Sequence, residues 1–204
     1  MLSGMVFVDH MNFNIAVSDY YSNKLGQKSP DLDYNTIFQG IVSKVPNVNY
    51  TKTFIFAPEP DPFLMVDKKL KGYYKWVQGM KNAKYLDVIT GRYIARPVDP
   101  SVPMDINDHG TYYKVEKGTD INLAIHAITK AYNNAYDIAF VLSADTDYIS
   151  LYRQLKNIGK MVVVVAVKGQ SLGKIIPEVD DYIMLDDAFF QKHIRKRDMD
   201  IEAR

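Results

Sequence analysis

The chain is predicted to be an α/β protein, with a mostly parallel central sheet covered by helices on both faces. Three observations predict this. Short apolar runs alternate with amphipathic stretches along almost the whole sequence, which is the pattern of strands joined by crossover helices. One run, residues 161–167 (MVVVVAV), is apolar at every position, as in a strand buried on both faces. Aspartates stand where such runs end, the edge at which open parallel sheets gather their ligands.

Taken in order, residues 5–8 read as a short buried strand ending at Asp9. A helix follows, with Phe13, Val17, Tyr20 and Tyr21 at helical spacing. Asp31 and Asp33 resemble N-caps of a second helix whose apolar face holds Ile37, Ile41 and Val45, and Pro46 ends it. Residues 51–57 read as a strand, and Pro58, Pro60 and Pro62 as a loop after it. A helix is expected over 63–80 and a third strand over 84–89. Residues 90–112, punctuated by Pro97, Pro100, Pro103 and Gly110, read as a long irregular loop or small insertion. Asp120 opens a helix with Ile121, Ile125, Ile128 and Tyr132 along one face. Residues 138–142 form a strand and 147–157 a helix on Tyr148, Leu151, Leu155 and Ile158, closed by Gly159. After the valine strand come a short helix over 171–176 and a last strand over 182–185. The organisation predicted is one domain over 1–187 and a charged tail or surface helix over 188–204.

Composition narrows the functions open to such a domain. The 204 residues are 47% hydrophobic and 24% charged, ordinary for a chain with a real core. A net charge of +1 gives no strong polyanion attractor, so nucleic acid must be met by local patches. With no cysteine, disulfides, zinc–thiolate sites and a thiol nucleophile are excluded, which fits a reducing cytoplasm. No apolar run is long enough to span a bilayer, and the first meets Asp9 too early to be a signal-peptide core. No membrane partner and a cytoplasmic location are therefore expected; homo-oligomerisation is left open.

The chemistry is expected at the acidic junctions. Asp9 follows the first strand, Asp145 and Asp147 follow the strand 138–142, and Asp120 starts a helix after Lys117 and Gly118. Carboxylates brought together repel and raise each other's pKa, a cost that a divalent cation removes. Mg²⁺ and Mn²⁺ prefer oxygen ligands, and an ion so held can activate water against a phosphodiester. Any one of these aspartates could instead be an N-cap. Three acidic junctions beside apolar strands favour a shared site. Asn12 could reach that site or cap a first turn, and Ser143 could hold a phosphate or satisfy its own turn. Lys114 and Lys117 stand where a phosphate near the metal could meet them.

These residues carry a resemblance. The segments FVDHMN (7–12), KGTDINLA (117–124) and YDIAFVLSADTDY (136–148) are similar, in order and spacing, to motifs of NYN domains, a branch of the PIN-like nuclease superfamily. The resemblance runs to about residue 187. It implies a Rossmann-like three-layer α/β sandwich, a Mg²⁺ or Mn²⁺ site on Asp9, Asp120, Asp145 and Asp147 with Asn12 beside them, and RNA cleavage. Two departures stand out: Ala144 occupies a usual glycine and Tyr148 a common phenylalanine.

Between Lys68 and Arg96 eight basic residues face a single acid, Asp87, with Tyr73, Tyr74, Trp76, Tyr85 and Tyr93 interleaved. Such a surface can track phosphates while stacking bases, or it can be a solvated helix face over a core stripe. The function expected is a metal-dependent nuclease acting on RNA. The alternatives are an RNA-binding or regulatory module with little catalysis, and a phosphatase using Asp145 as an aspartyl nucleophile. His10 and His126 are expected to be bystanders.

Overall fold

In a computed structural model, which describes residues 1–195, seven strands form one sheet in the order β4-β3-β2-β1-β5-β6-β7. The elements in chain order are β1 (Leu2–Asp9), α1 (His10–Asp19), α2 (Ile37–Val42), β2 (Val48–Pro60), α3 (Lys68–Gly79), β3 (Leu86–Pro97) and β4 (Tyr112–Lys117). They continue with α4 (Thr119–Tyr132), β5 (Ile138–Leu142), α5 (Ile149–Asn157), β6 (Met161–Val167), β7 (Asp181–Leu185) and α6 (Asp187–Phe190). All pairings are parallel except β3 with β4.

The sheet separates two apolar layers. On one face Val6, Val8, Ile55 and Phe140 pack against α1, α2 and the two phenylalanines of α6. On the other, Phe7, Phe56, Val141 and Val164 pack against α4 and α5. This is the expected three-layer sandwich. Strand order reverses at β1, which pairs with β2 on one side and β5 on the other. A crevice therefore opens at the carboxyl ends of β1 and β5, the ligand position of such sheets. Among the described residues no helix is long and apolar enough to cross a membrane.

Several local expectations are corrected. β2 runs through Pro58 and Pro60 instead of ending before them. Its partner β1 stops at Asp9, opposite Phe56, so the proline nitrogens beyond that point interrupt no ladder on that side. β3 continues to Pro97 and pairs with β4, so the loop of 90–112 shrinks to 98–111. This edge hairpin alternates weakly because neither of its faces is buried along its length, and periodicity could not report it. Asp67 caps α3 and divides the helix expected over 63–80 from a 3-10 turn at Leu64–Val66. Asp33 does not cap α2; its carboxylate binds the Asn35 amide and the Thr36 hydroxyl. The helix expected over 171–176 is a turn, followed by a 3-10 turn at Ile176–Glu178.

α4 presents a different face from the one read in the sequence. Ile121, Ile125 and Tyr132 are 64%, 56% and 63% exposed, whereas Leu123, Ala127 and Ala131 are buried. The alanines have no bulk to hold the helix away, so it lies close over Phe54 and Phe56. At the other end Phe189 and Phe190 are buried, so the core continues past residue 187. The remainder of the expected tail, 196–204, lies outside the described residues.

Candidate active site

Asp9 is the last residue of β1 and the N-cap of α1, its Oδ1 accepting the Asn12 amide at 3.1 Å. Strands on both sides enclose it, leaving 6% of its surface exposed. Its Oδ2 accepts the Ser143 hydroxyl at 3.3 Å and the Tyr148 hydroxyl at 3.3 Å. Burial removes hydration from the charged form, and Asp120 and Glu116 add like charge, so its pKa is pushed up to about 6 despite the Asn12 bond.

Asp120 is delivered from the opposite side. Gly118 turns the chain into α4 with φ of 83°, a left-handed conformation that glycine adopts without a Cβ penalty. Asp120, in the first helical turn, is exposed, and its Oδ1 accepts the Tyr148 hydroxyl at 3.0 Å. The Lys117–Thr119 segment lies tight against β3 because Gly91 has no side chain. A Cβ there would sit 2.8 Å from both the Lys117 carbonyl and the Thr119 amide. Gly91→Ala is therefore expected to displace the start of α4. It should cost about 1–3 kcal/mol in a denaturant melt and weaken any function that needs Asp120 beside Asp9. A variant as stable and as active as the parent would refute this positioning role.

The four sequence-predicted acids are not assembled equally. Asp9 and Asp120 meet through one tyrosine hydroxyl. Asp145 is half-buried; its Oδ1 caps the following turn by accepting the Asp147 amide at 2.9 Å, and its own amide donates to Ser143 Oγ at 3.2 Å. It shares one more neighbour with Asp9: both charges raise the pKa of Tyr152, whose phenol is shifted upward first by burial. Asp147 is exposed on the 3-10 turn Thr146–Tyr148. Among the described residues no three His, Asp or Glu side chains stand close enough to form a ready-made metal cage.

The predicted polar residues divide between bracing and surface. Asn12 Oδ1 accepts the Ala144 amide at 3.3 Å and the Gln170 amide group at 3.1 Å, bracing α1 against the loops after β5 and β6. Ser143, 1% exposed, links Asp9 to Asp145. Lys114 and Lys117 are exposed; Lys114 lies near enough to Asp67 to help hold that carboxylate below its usual range, after the Lys69 and Leu70 amides. His10 is buried and bonds Tyr73 at 2.8 Å and Tyr34 at 3.2 Å, with burial lowering its pKa to about 3. His126 packs by the rings of Phe54 and Phe56. Neither imidazole bonds the aspartates, as expected.

Three functional candidates escaped the sequence reading. Glu116 raises the pKa of Asp9, and its own carboxyl is raised by lost hydration and by Asp120. Only the antiparallel β3–β4 hairpin brings it there. Tyr148, at the position where phenylalanine is common, uses the extra hydroxyl to touch both carboxylates; that departure was its only signal. Tyr152 is fully buried and its hydroxyl has no partner among the described residues, as is true of Thr119 Oγ1. The other departure is harmless: Ala144 is not among the residues with positive φ.

The reversed parallel sheet, with acids at the carboxyl ends of its central strands, is a Rossmann-like α/β fold of the kind PIN-like domains have. The family model described as NYN domain matches residues 4–186, and the chain belongs to that family, a branch of the PIN-like nuclease superfamily. A crystal structure of a protein of unknown function from Vibrio parahaemolyticus superposes with a TM-score of 0.55. It is 16% identical over 93% of this chain and 95% of that one, a likeness of fold alone. An NAD-dependent persulfide reductase from A. fulgidus aligns at a TM-score of 0.25 and 9% identity, covering 89% of this chain and 39% of that one, too low to carry an argument. No curated protein matches the chain.

Proposed function

We propose that the domain is a divalent-metal-dependent nuclease that hydrolyses phosphodiester bonds, in RNA first of all, at the Asp9–Asp120 ridge. One observation carries the reading. Two carboxylates share one tyrosine hydroxyl, and Tyr148 has a single proton to donate. A third acid, Glu116, adds like charge. Among the described residues the ion pairs are Lys52–Asp87, Arg153–Glu178 and Lys156–Asp180, so no basic side chain compensates the ridge. That balance suits a proton at low pH or a cation at neutral pH.

The donor set fits Mg²⁺ or Mn²⁺. Mg²⁺ is commonly held by one or two carboxylates, waters and the substrate's own phosphate, so a cage of three acids is not required. Asp9 and Asp120 would hold the ion, with Asp145 and Glu116 reached through water. The partnerless hydroxyls of Tyr152 and Thr119 would bind such waters. Bound there, the ion supplies charge neutralisation at the phosphoryl group and an acidified water. Ser143 and the Asn12 amide hold the Asp9 carboxylate in place, Tyr148 ties it to Asp120, and the apolar strands beneath exclude bulk water. Lys117 and Lys114, both exposed, are proposed as phosphate contacts together with Asn12 and Ser143, and Asp147 as a peripheral acid. A chain without cysteine suits a cytoplasmic setting.

The purified protein is expected to cut single-stranded or structured RNA with Mn²⁺ or Mg²⁺, and EDTA is expected to stop it. The lack of a ready-made cage favours one second reading, an RNA-binding module with little catalysis. RNA binding without cleavage at any metal concentration would select that reading.

A further inference from the structure

We infer that the cavity between α1, α3 and the ends of β2 and β3 is a base-binding subsite, which takes one unpaired nucleobase of a single strand and so presents the adjoining phosphate to Asp9 and Asp120. This deepens the nuclease reading and rests on it. The cavity holds about 420 Å³, within the range of small-ligand sites. Its walls include Tyr73 and Tyr93, Pro58 and Pro60, and Ile15, with Lys69 at the rim. Flat aromatic and proline faces around an apolar void suit a π-system, and stacking accepts any base.

Position argues for the same occupant. β1 stops at Asp9, opposite Phe56, whereas β2 and β3 run on, pairing Pro58 with Gly91 and Pro60 with Tyr93. The cavity is therefore built on the part of the sheet that projects past the Asp9 carboxylate. Tyr93 lies directly across the hairpin from Glu116. The phenol of Tyr73, already shifted upward by burial, also feels Glu116 and Asp9, so one wall faces both the cavity and the acids.

Charge along the groove suits a phosphate chain. Of the exposed lysines of α3, Lys69 lines the cavity, whereas Lys68, Lys71 and Lys75 stand on the opposite side of the helix. Past Ile15, a second cavity of about 280 Å³ carries Lys24 and Lys168 beside Asn12, two cations against the one acid Asp19. A strand seated by one base beside the tyrosines would thus meet Lys69 at one cavity and Lys24 and Lys168 at the next, and these cations offset the repulsion between its phosphates and the acids. An apolar peptide would gain nothing from these lysines.

The test is equilibrium binding in EDTA, where cleavage is silent, by fluorescence anisotropy. The probes are a labelled oligouridylate of roughly ten nucleotides and an abasic strand with the same number of phosphates. The parent should bind the oligouridylate about tenfold more tightly than the abasic strand. Tyr93→Leu, which keeps an apolar side chain but loses the ring, should remove about tenfold from oligouridylate binding and leave the abasic strand unchanged. Tyr93→Phe should behave as the parent. Equal affinity of the parent for both strands, no binding by the parent, or parent-like binding by a folded Tyr93→Leu variant would each overturn the subsite. The comparison of strands on the parent stands even where the leucine variant fails to fold. Cleavage assayed separately with Mn²⁺ keeps the two readings apart: a protein that prefers bases but never cuts loses only the nuclease reading, and one that cuts without preferring bases loses only the subsite.

Discussion

Asp120→Asn is expected to lower metal-dependent RNA cleavage by roughly a hundred- to ten-thousand-fold while leaving the thermal melt close to that of the parent. Asparagine keeps the volume, and its carbonyl can still accept the Tyr148 hydroxyl that Asp120 Oδ1 accepts at 3.0 Å. What it removes is the charge that, with Asp9, would hold the ion. The cost to folding is small because Asp120 is exposed. A carboxylate in the first turn of a helix contributes about 0.3–1 kcal/mol through the helix dipole, and relief of repulsion with Asp9 offsets part of that. Asp145→Asn should have an intermediate effect, since its Oδ1 already caps the Asp147 amide. Asp147→Asn should have the least, because that side chain is exposed and, among the described residues, hydrogen-bonded to neither Asp9 nor Tyr148. If Asp120→Asn cuts as fast as the parent while Asp147→Asn is inactive, the ridge has been assigned to the wrong carboxylates.

Asp9→Asn should have an opposite signature in stability and activity. In the folded protein the Asp9 pKa is pushed up to about 6 from an ordinary 3.8, mainly by burial. Between these values the native state binds more protons than the unfolded chain, so stability falls as pH rises through that window. The full cost of the buried charge, about 2–4 kcal/mol, is present above pH 6 and absent below about pH 4. Asparagine carries no such charge and still caps α1. In EDTA the variant should therefore be more stable than the parent by about 1–3 kcal/mol near pH 8, with the difference vanishing near pH 4. Added Mn²⁺ should stabilise the parent and not the variant, through mass action on the folded state. Denaturant melts at three pH values, with and without the ion, read both effects. A variant less stable than the parent at every pH would mean that the Asp9 charge is already well compensated within the fold.

Much of this molecule is legible in one dimension. The runs 138–142 and 161–167 coincide with β5 and β6 because strands buried on both faces must be apolar throughout. Phe13, Val17, Tyr20 and Tyr21 all prove buried because a helix over a sheet must turn one stripe inward. Asp9 and Asp120 were legible as candidates because several strand-to-helix junctions carry acids beside apolar strands, although any one such acid alone is as readily an N-cap. The failures have physical reasons too. The edge hairpin of β3 and β4 shows little alternation because neither of its faces is buried along its length. α4 carries two overlapping apolar stripes, and the one that packs is chosen by the small alanines that let it approach Phe54 and Phe56.

Sequence alone determined the α/β class and the family and offered Asp9, Asp120, Asp145 and Asp147 as candidates, since each depends on local pattern and order along the chain. Only the tertiary structure decided which acids share a neighbourhood. Sequence separation says nothing of which strand lies beside which, and the reversal at β1 is what brings Asp9 to Tyr148, and Tyr148 to Asp120. The same pairing of distant strands brought in Glu116 from the hairpin and left Asp147 at the surface. It also built, from Ile15, Pro58, Tyr73 and Tyr93, a cavity that no stretch of sequence announces, because its walls meet only when the sheet is formed.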